Sequence, residues 1–317
     1  MFHFDRGLWI TSIGLAVDIP RQQKLGFVSH AHSDHAARHE FIYCTNATGE
    51  LLRARYGKVR FKAVECSTPF QIGNATLCAF PAGHMLGSTM LQVEIEGSTL
   101  LYTGDFRLGE SLTAGKAIPP TADTLVTECT FGDPKYVFPH RAEAIATLVG
   151  IIKTILGAGK IANVHAYAMG KAQELVRILT SHGFVVQVDR GTAPYCRAYQ
   201  ALGVDLGDYG VCGDCGPSPD VIISPPMRQR GFGGVKRNCR TIAVTGWAID
   251  PSITRRWGVD YAVPISDHAD YNELLQLVEL VQPRRVLCTH GTRAFAEDLR
   301  RRGWNAENLD PSTSRKK

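Results

Sequence analysis

Apolar runs long enough to cross a bilayer are missing from this sequence, and Met1 to Gly7 lacks the basic, apolar and small-residue regions of a secretory signal. A cytoplasmic protein with no membrane contact is expected. Internal repeats and low-complexity tracts are also missing. Cysteine is present but scattered, nine in all, and an odd, unpatterned set fits reduced thiols better than a disulfide framework. Nor is either charge sign dominant: Lys plus Arg number 35 against 30 Asp plus Glu, an excess that permits a polyanionic partner without demanding one. What remains is an ordinary globular composition, 44% hydrophobic over 317 residues, enough for about two domains.

The chemistry concentrates in Ser29-His30-Ala31-His32-Ser33-Asp34-His35. It follows the short apolar run Leu25 to Val28, so the polar cluster sits on a loop leaving a buried strand. Neutral imidazole nitrogens and carboxylate oxygens are ligands for zinc. Alternation turns His30 and His32 to one side and aims Asp34 and His35 elsewhere, which suggests two metals rather than one. The competing reading is a surface histidine cluster with no metal.

Further polar residues recur at strand ends. Asp18 precedes Pro20 upstream of the loop, where a simple turn role fits nearly as well as any other. Asn46 to Tyr56 has helical composition. His84 lies in Gly83-His84-Met85-Leu86-Gly87-Ser88, Asp105 follows Leu100 to Gly104, and Glu128 ends Leu125 to Thr127. Tyr167 to Leu175 opens an amphipathic helix with Lys171 near its start, placed to contact phosphate through the helix's first turn. Val185 to Cys239 is rich in Gly, Pro and Asp and reads as a mobile segment. Its Arg228 and Arg230 either follow a phosphate backbone or are solvated without a partner. Cys212-Gly213-Asp214-Cys215 could join Cys196 and Cys239 around a structural zinc, but free thiols on a loop fit better. His268 stands in Ile265 to Tyr271, a helix spans Asn272 to Val281, and the strand Arg285 to Thr289 delivers His290-Gly291. The tail, 310–317, is polar and expected to be disordered.

The pattern His-x-His-x-Asp-His resembles the signature of the metallo-β-lactamase superfamily. Glu128-Cys129-Thr130-Phe131-Gly132, Gly170 to Leu175 and Ser266 to Tyr271 resemble motifs of its nucleic-acid-cleaving β-CASP branch, above all the bacterial ligase-associated DNA exonucleases. Those relatives carry Ser where this chain has Cys129. The resemblance implies an α/β fold, the metallo-β-lactamase αβ/βα sandwich, from 1–133 and 264–309, with an inserted α/β β-CASP cap at 134–263. It implies two Zn²⁺, with Mn²⁺ as substitute: His30, His32 and His84 on one, Asp34, His35 and His290 on the other, and Asp105 shared. Asp18 then orients the metal loop, and His268, held by Glu128, is the general acid. The implied activity is 5′→3′ hydrolysis of single-stranded DNA in repair, alongside a DNA ligase or helicase. RNA is the alternative substrate, because His290-Gly291 keeps the form of the messenger-RNA 3′-end processing nucleases. A non-catalytic nucleic-acid-binding scaffold is the rival of another class, and a scaffold of this fold would have lost ligands. Thioester or lactam hydrolysis is disfavoured by the cap motifs.

Overall fold

The structure, a computed structural model, describes residues 2–5, 7–226 and 238–309. The described chain forms two compact units, one running to Lys135 and resuming at His268, the other spanning Tyr136–Asp267. The expected divisions were 133/134 and 263/264. Residues 265–267 belong with the second unit because its own cations hold them, as described below.

The first unit opens with a six-stranded sheet in sequence order: β1 (Phe2–Phe4), β2 (Leu8–Ile10), β3 (Leu15–Val17), β4 (Leu25–Phe27), β5 (Phe41–Cys44) and β6 (Phe61–Ala63). β3 to β6 run parallel. Helix α1 (Asn46–Tyr56) makes the crossover to β6, and its N-terminus is set by Thr45, whose hydroxyl accepts from the Thr48 amide. A meander follows, β7 (Phe70–Ile72), β8 (Ala75–Pro81), β9 (Thr89–Ile95) and β10 (Ser98–Tyr102), with β11 (Thr124–Glu128) parallel to β10.

The second unit is a six-stranded parallel sheet with helices in its crossovers: α2 (Arg141–Gly157), β12 (Ile161–His165), α3 (Lys171–Ser181), β13 (Val186–Val188), α4 (Ala193–Ala201), β14 (Tyr209–Val211), β15 (Val221–Ser224), β16 (Cys239–Val244), α5 (Ile253–Trp257) and β17 (Tyr261–Val263). The strand order is β14-β13-β15-β12-β16-β17. Much of the stretch expected to be mobile after Val185 is thus ordered as three strands and a helix. Its strands are only three or four residues long, and each is fixed by pairing, Val186 with Tyr209 and with Val221.

The chain then returns with α6 (Tyr271–Val281), β18 (Arg285–Thr289), α7 (Ala294–Arg301) and β19 (Ala306–Asn308), completing a seven-stranded sheet β19-β18-β11-β10-β9-β8-β7. Alternation along its strands explains the layers. Leu100, Tyr102, Val126 and Leu287 face one core with Leu8, Val17 and Phe27 of the first sheet. Leu101, Leu125, Val286 and Cys288 point the other way, against Leu274, Leu277 and Val281 of α6 and Phe295 and Leu299 of α7. On the first sheet, Phe61 lies beside Ile42 in register and packs on α1, where a Cβ on Gly49 would come within 2.3 Å of its ring. The unit is an αβ/βα sandwich. Among the described residues no helix is long and apolar enough to cross a membrane.

Candidate metal centre

Parallel pairing brings the functional side chains to one end of the first unit. β10, β11 and β18 lie side by side and parallel, so Asp105, Glu128 and His290 all emerge at their C-terminal ends, with Glu128 opposite Thr289 in register. β8 runs in the same direction, being antiparallel to β9 as β10 is, and delivers His84. β4 of the other sheet delivers the loop 29–35, whose Ser29 carbonyl accepts from the Thr89 amide at 3.0 Å. Gly104 permits this approach: its φ is +55°, and a Cβ there would lie 2.6 Å from Ser29 Oγ.

Asp18, buried and held at φ +52°, organises that loop. Its carboxylate accepts from the Ser29 amide at 2.7 Å, Ser29 Oγ at 2.5 Å, His35 Nδ1 at 2.9 Å and Tyr102 OH at 3.1 Å. Ser29 Oγ, having given its proton to Asp18, can only accept from His30 Nδ1 at 3.0 Å. The Nδ1 atoms of His30 and His35 are therefore donors, and each Nε2 carries the lone pair when its ring is neutral.

Those two Nε2 atoms are buried without a hydrogen-bond partner. Both face Asp105 Oδ2, His30 at 3.5 Å and His35 at 3.4 Å, with His84 Nε2 at 3.8 Å. Burial, then the charge on His35, holds the His30 imidazole neutral, its pKa well below the ordinary value. A lone pair pointed at a carboxylate oxygen is repulsive unless a cation lies between them. His35 differs. Burial disfavours its imidazolium, but Asp105 and then Asp18 outweigh burial and raise its pKa. Asp105 is itself kept ionised: burial opposes this, and His35 and then His268 overcome it.

The donors fit a metal. His30, His32, His84 and Asp105 each offer an atom within 4.8 Å of the others, a four-donor nitrogen and oxygen set of the kind zinc takes. Asp34 and His290 adjoin His35 on the other side, Asp34 Oδ2 at 4.0 Å from Nε2 and the His290 ring stacked at 5.4 Å. His290 itself has φ +55°, a left-handed conformation uncommon outside glycine. Asp18, His30 and His35 also converge, but Asp18 is already committed to four donors and reads as the residue that orients the others.

His268 packs against His84, ring centroids 4.7 Å apart, and its Nδ1 lies 2.9 and 3.0 Å from the two oxygens of Glu128. Glu128 is buried and held by the Phe106 amide at 3.0 Å and by Thr130 Oγ1 at 2.5 Å. Thr130, Ser29 and Tyr102 are supports that the sequence reading passed over. Inward alternation along β10 was the signal available for Tyr102.

Lys171 requires a correction. It is buried, its ammonium 2.6 Å from Asp267 Oδ1 and 3.2 Å from the Ile265 carbonyl, so it does not stand open to a phosphate. Burial lowers its pKa, and Asp267 opposes that fall. Arg141 pairs with Glu174 and donates to the Ser266 carbonyl at 3.0 Å, so two cations of the second unit hold residues 265–267. Lys171→Ala should destabilise the chain by about 3 kcal/mol, because it removes the ammonium from a buried carboxylate, and urea unfolding followed by circular dichroism would measure it. Arg228 and Arg230 lie outside the described residues. All nine cysteines are free thiols, and among the described residues Cys196, Cys212, Cys215 and Cys239 do not converge as a ligand set.

Nitrogen and oxygen donors thus gather at the strand ends of a two-sheet sandwich, as a metal site requires. Comparison with known proteins agrees: residues 257–310 match the family described as "Zn-dependent metallo-hydrolase RNA specificity domain". The chain is 36% identical over 96% of its length to a probable DNA ligase of Opitutus terrae, covering 30% of that protein. It is 24% identical over 85% of its length to DNA cross-link repair 1A protein of Mus musculus, covering 29% of it. The chain thus spans less than a third of these relatives. A solved structure of a protein of unknown function from Enterococcus faecalis V583 shares the fold, with TM-score 0.61 at 14% identity over 90% of this chain and 79% of that one. These matches support the resemblance to the metallo-β-lactamase superfamily and its β-CASP branch.

Proposed function

We propose that the chain hydrolyses phosphodiester bonds of DNA as a 5′→3′ exonuclease on single strands, in DNA repair. The observation that carries this reading is a metal-ligand set with a separate proton donor beside it, His268 held by buried Glu128. His30, His32, His84 and Asp105 would hold one cation, and Asp34, His35, His290 and Asp105 a second, zinc by donor type with manganese as substitute. When bound, such cations supply charge that activates water near neutral pH and neutralises the phosphate. The chain's own residues do the rest. Asp18 fixes His35 and, through Ser29, His30. Glu128 holds His268 Nδ1, so that Nε2 is the atom to carry a proton to the leaving oxygen.

The DNA assignment is supported by the two relatives named for DNA ligation and cross-link repair. The first carries a region similar to nearly this whole chain, which favours a DNA ligase as working partner; a helicase rests on resemblance alone. Nine free thiols fit the reducing cytoplasm. RNA is the second reading, favoured by the matched "RNA specificity domain" that contains His290-Gly291. End-labelled and circular DNA and RNA assayed side by side decide between them. Linear single-stranded DNA should be shortened from its 5′ end while circles survive; RNA degraded as fast as DNA would favour the second reading. The protein as purified should carry close to two metals per chain, since seven donors are too many for one tetrahedral site. Elemental analysis showing none, with activity indifferent to chelator, would remove the metal from the account.

A further inference from the structure

The chain's excess positive charge is not spread over its surface. Residues 21–62 contain eight lysines and arginines against three acids, and outside them 27 cations balance 27 acids. The densest part, Arg53-Ala54-Arg55-Tyr56-Gly57-Lys58-Val59-Arg60-Phe61-Lys62, has five cations, two aromatic rings and no acid. It covers the last turn of α1, the turn after it and the start of β6, an edge strand. Arg53, Lys58, Arg60, Lys62 and nearby Arg38 are exposed.

Three of these cations, Lys58, Arg60 and Lys62, are also unneutralised. Elsewhere several surface arginines are paired, Arg177 with Asp205, Arg240 with Asp260, Arg285 with Glu307, Arg302 with Asp298. Here Arg53 bonds Glu50 at 2.5 Å, but among the described residues Lys58, Arg60 and Lys62 form no ion pair. Several lie over rings instead: Arg53 is 4.6 Å from the Phe61 centroid, Arg38 5.9 Å from Tyr56 and Lys62 6.0 Å from Tyr43. Such contacts hold the charged heads outward without cancelling them. Helix-dipole complementarity accounts for Arg53 and Arg55 at the end of α1, and protection of an edge strand accounts for Lys62. Neither accounts for Lys58, Arg60 and Arg38, nor for the lack of acids.

The patch has a fixed relation to the metal centre within the first unit. Thr45 and Thr48 at the start of α1 donate to the Gly87 carbonyl, at 2.8 and 2.9 Å, in the loop that carries His84. The helix leads away from that loop, and its 11 residues span about 16 Å. Along that length a nucleic-acid strand presents several phosphates.

We propose that this face binds the phosphate backbone of a nucleic acid at a distance from the metal centre, so that affinity rises with strand length while cleavage of short strands is independent of it. The inference rests on the nucleic-acid reading given above. The test is binding and cleavage of labelled 20-nucleotide and 4-nucleotide single-stranded DNA by the metal-loaded protein, binding being read by anisotropy on phosphorothioate versions. The variant is Lys58→Glu, Arg60→Glu, Lys62→Glu; all three side chains are exposed, and a matched reversal of Lys116, Lys153 and Lys160 controls for net charge. The first triple should weaken 20-mer binding by about 30-fold and reduce its salt slope by about 2, as expected for three lost phosphate contacts. Tetramer cleavage should be unchanged, and the control should weaken binding far less. Unchanged 20-mer binding, equal losses by both triples, or equal losses on both lengths would overturn the proposal. So would loss of binding to anionic lipid vesicles with oligonucleotide binding intact. If the wild type binds the 20-mer yet cleaves neither DNA nor RNA, the nuclease reading fails alone, and the patch is still judged by binding.

Discussion

Asp105→Asn should yield a folded protein without its metals and with the phosphodiesterase rate reduced by at least about 10⁴-fold. Asp105 Oδ2 is the one atom that His30, His35 and His84 all approach, between 3.4 and 3.8 Å. An amide of the same shape keeps the packing but has no charge and one acceptor oxygen instead of two, so it cannot be shared between two cations. Their loss withdraws several kcal/mol of transition-state stabilisation, and about 5.4 kcal/mol corresponds to about 10⁴-fold in rate. The substitution also removes the carboxylate that favours the imidazolium of His35, so stability should fall little. Elemental analysis after gel filtration, with circular dichroism to confirm folding, checks the outcome. Full metal content with unimpaired activity would show that Asp105 is not a ligand.

The metal loop was legible from sequence because its donors are local: His30, His32, Asp34 and His35 lie on one loop, and each remaining donor ends a strand recognisable by its own apolar run. Helix α1 and strand β18 were readable with the same residue bounds, since both have clear periodicity between clear stops. Helix α2 was not read. Its buried residues, Ala144, Leu148, Val149, Ile152 and Ile155, do follow a helical stripe, but the half-exposed Ile145 and Ile151 blur the pattern toward a continuous apolar run. Lys171 was misread for a different reason. Its partner Asp267 lies 96 positions along the chain, and burial of a lysine against so distant a carboxylate leaves no trace in local pattern. Thr130 escaped although its partner Glu128 is only two residues away, because residue type alone does not show which acceptor a hydroxyl meets.

His268→Ala should retain both metals and lose about 10²- to 10⁴-fold in rate on an ordinary phosphodiester, the usual range for removal of a general acid. Departure of an alkoxide is costly unless a proton reaches it, and histidine is the side chain suited to deliver one near neutral pH. The geometry favours this role over that of a sixth imidazole ligand. Nδ1 is committed to both oxygens of Glu128, and that carboxylate is fixed in turn by the Phe106 amide and Thr130. An imidazole backed by a buried carboxylate is stabilised when protonated and is held in one orientation, as a proton donor must be. Glu128→Gln keeps the shape and weakens that stabilisation, so it should slow the same step less than removal of the ring. The discriminating substrate is a phosphodiester with a nitrophenolate leaving group, which departs without a proton. On it His268→Ala should lose less than about tenfold, because the remaining machinery is intact. Equal losses on both substrates, or a fall in metal content, would instead place His268 among the metal ligands or the structural supports of the site.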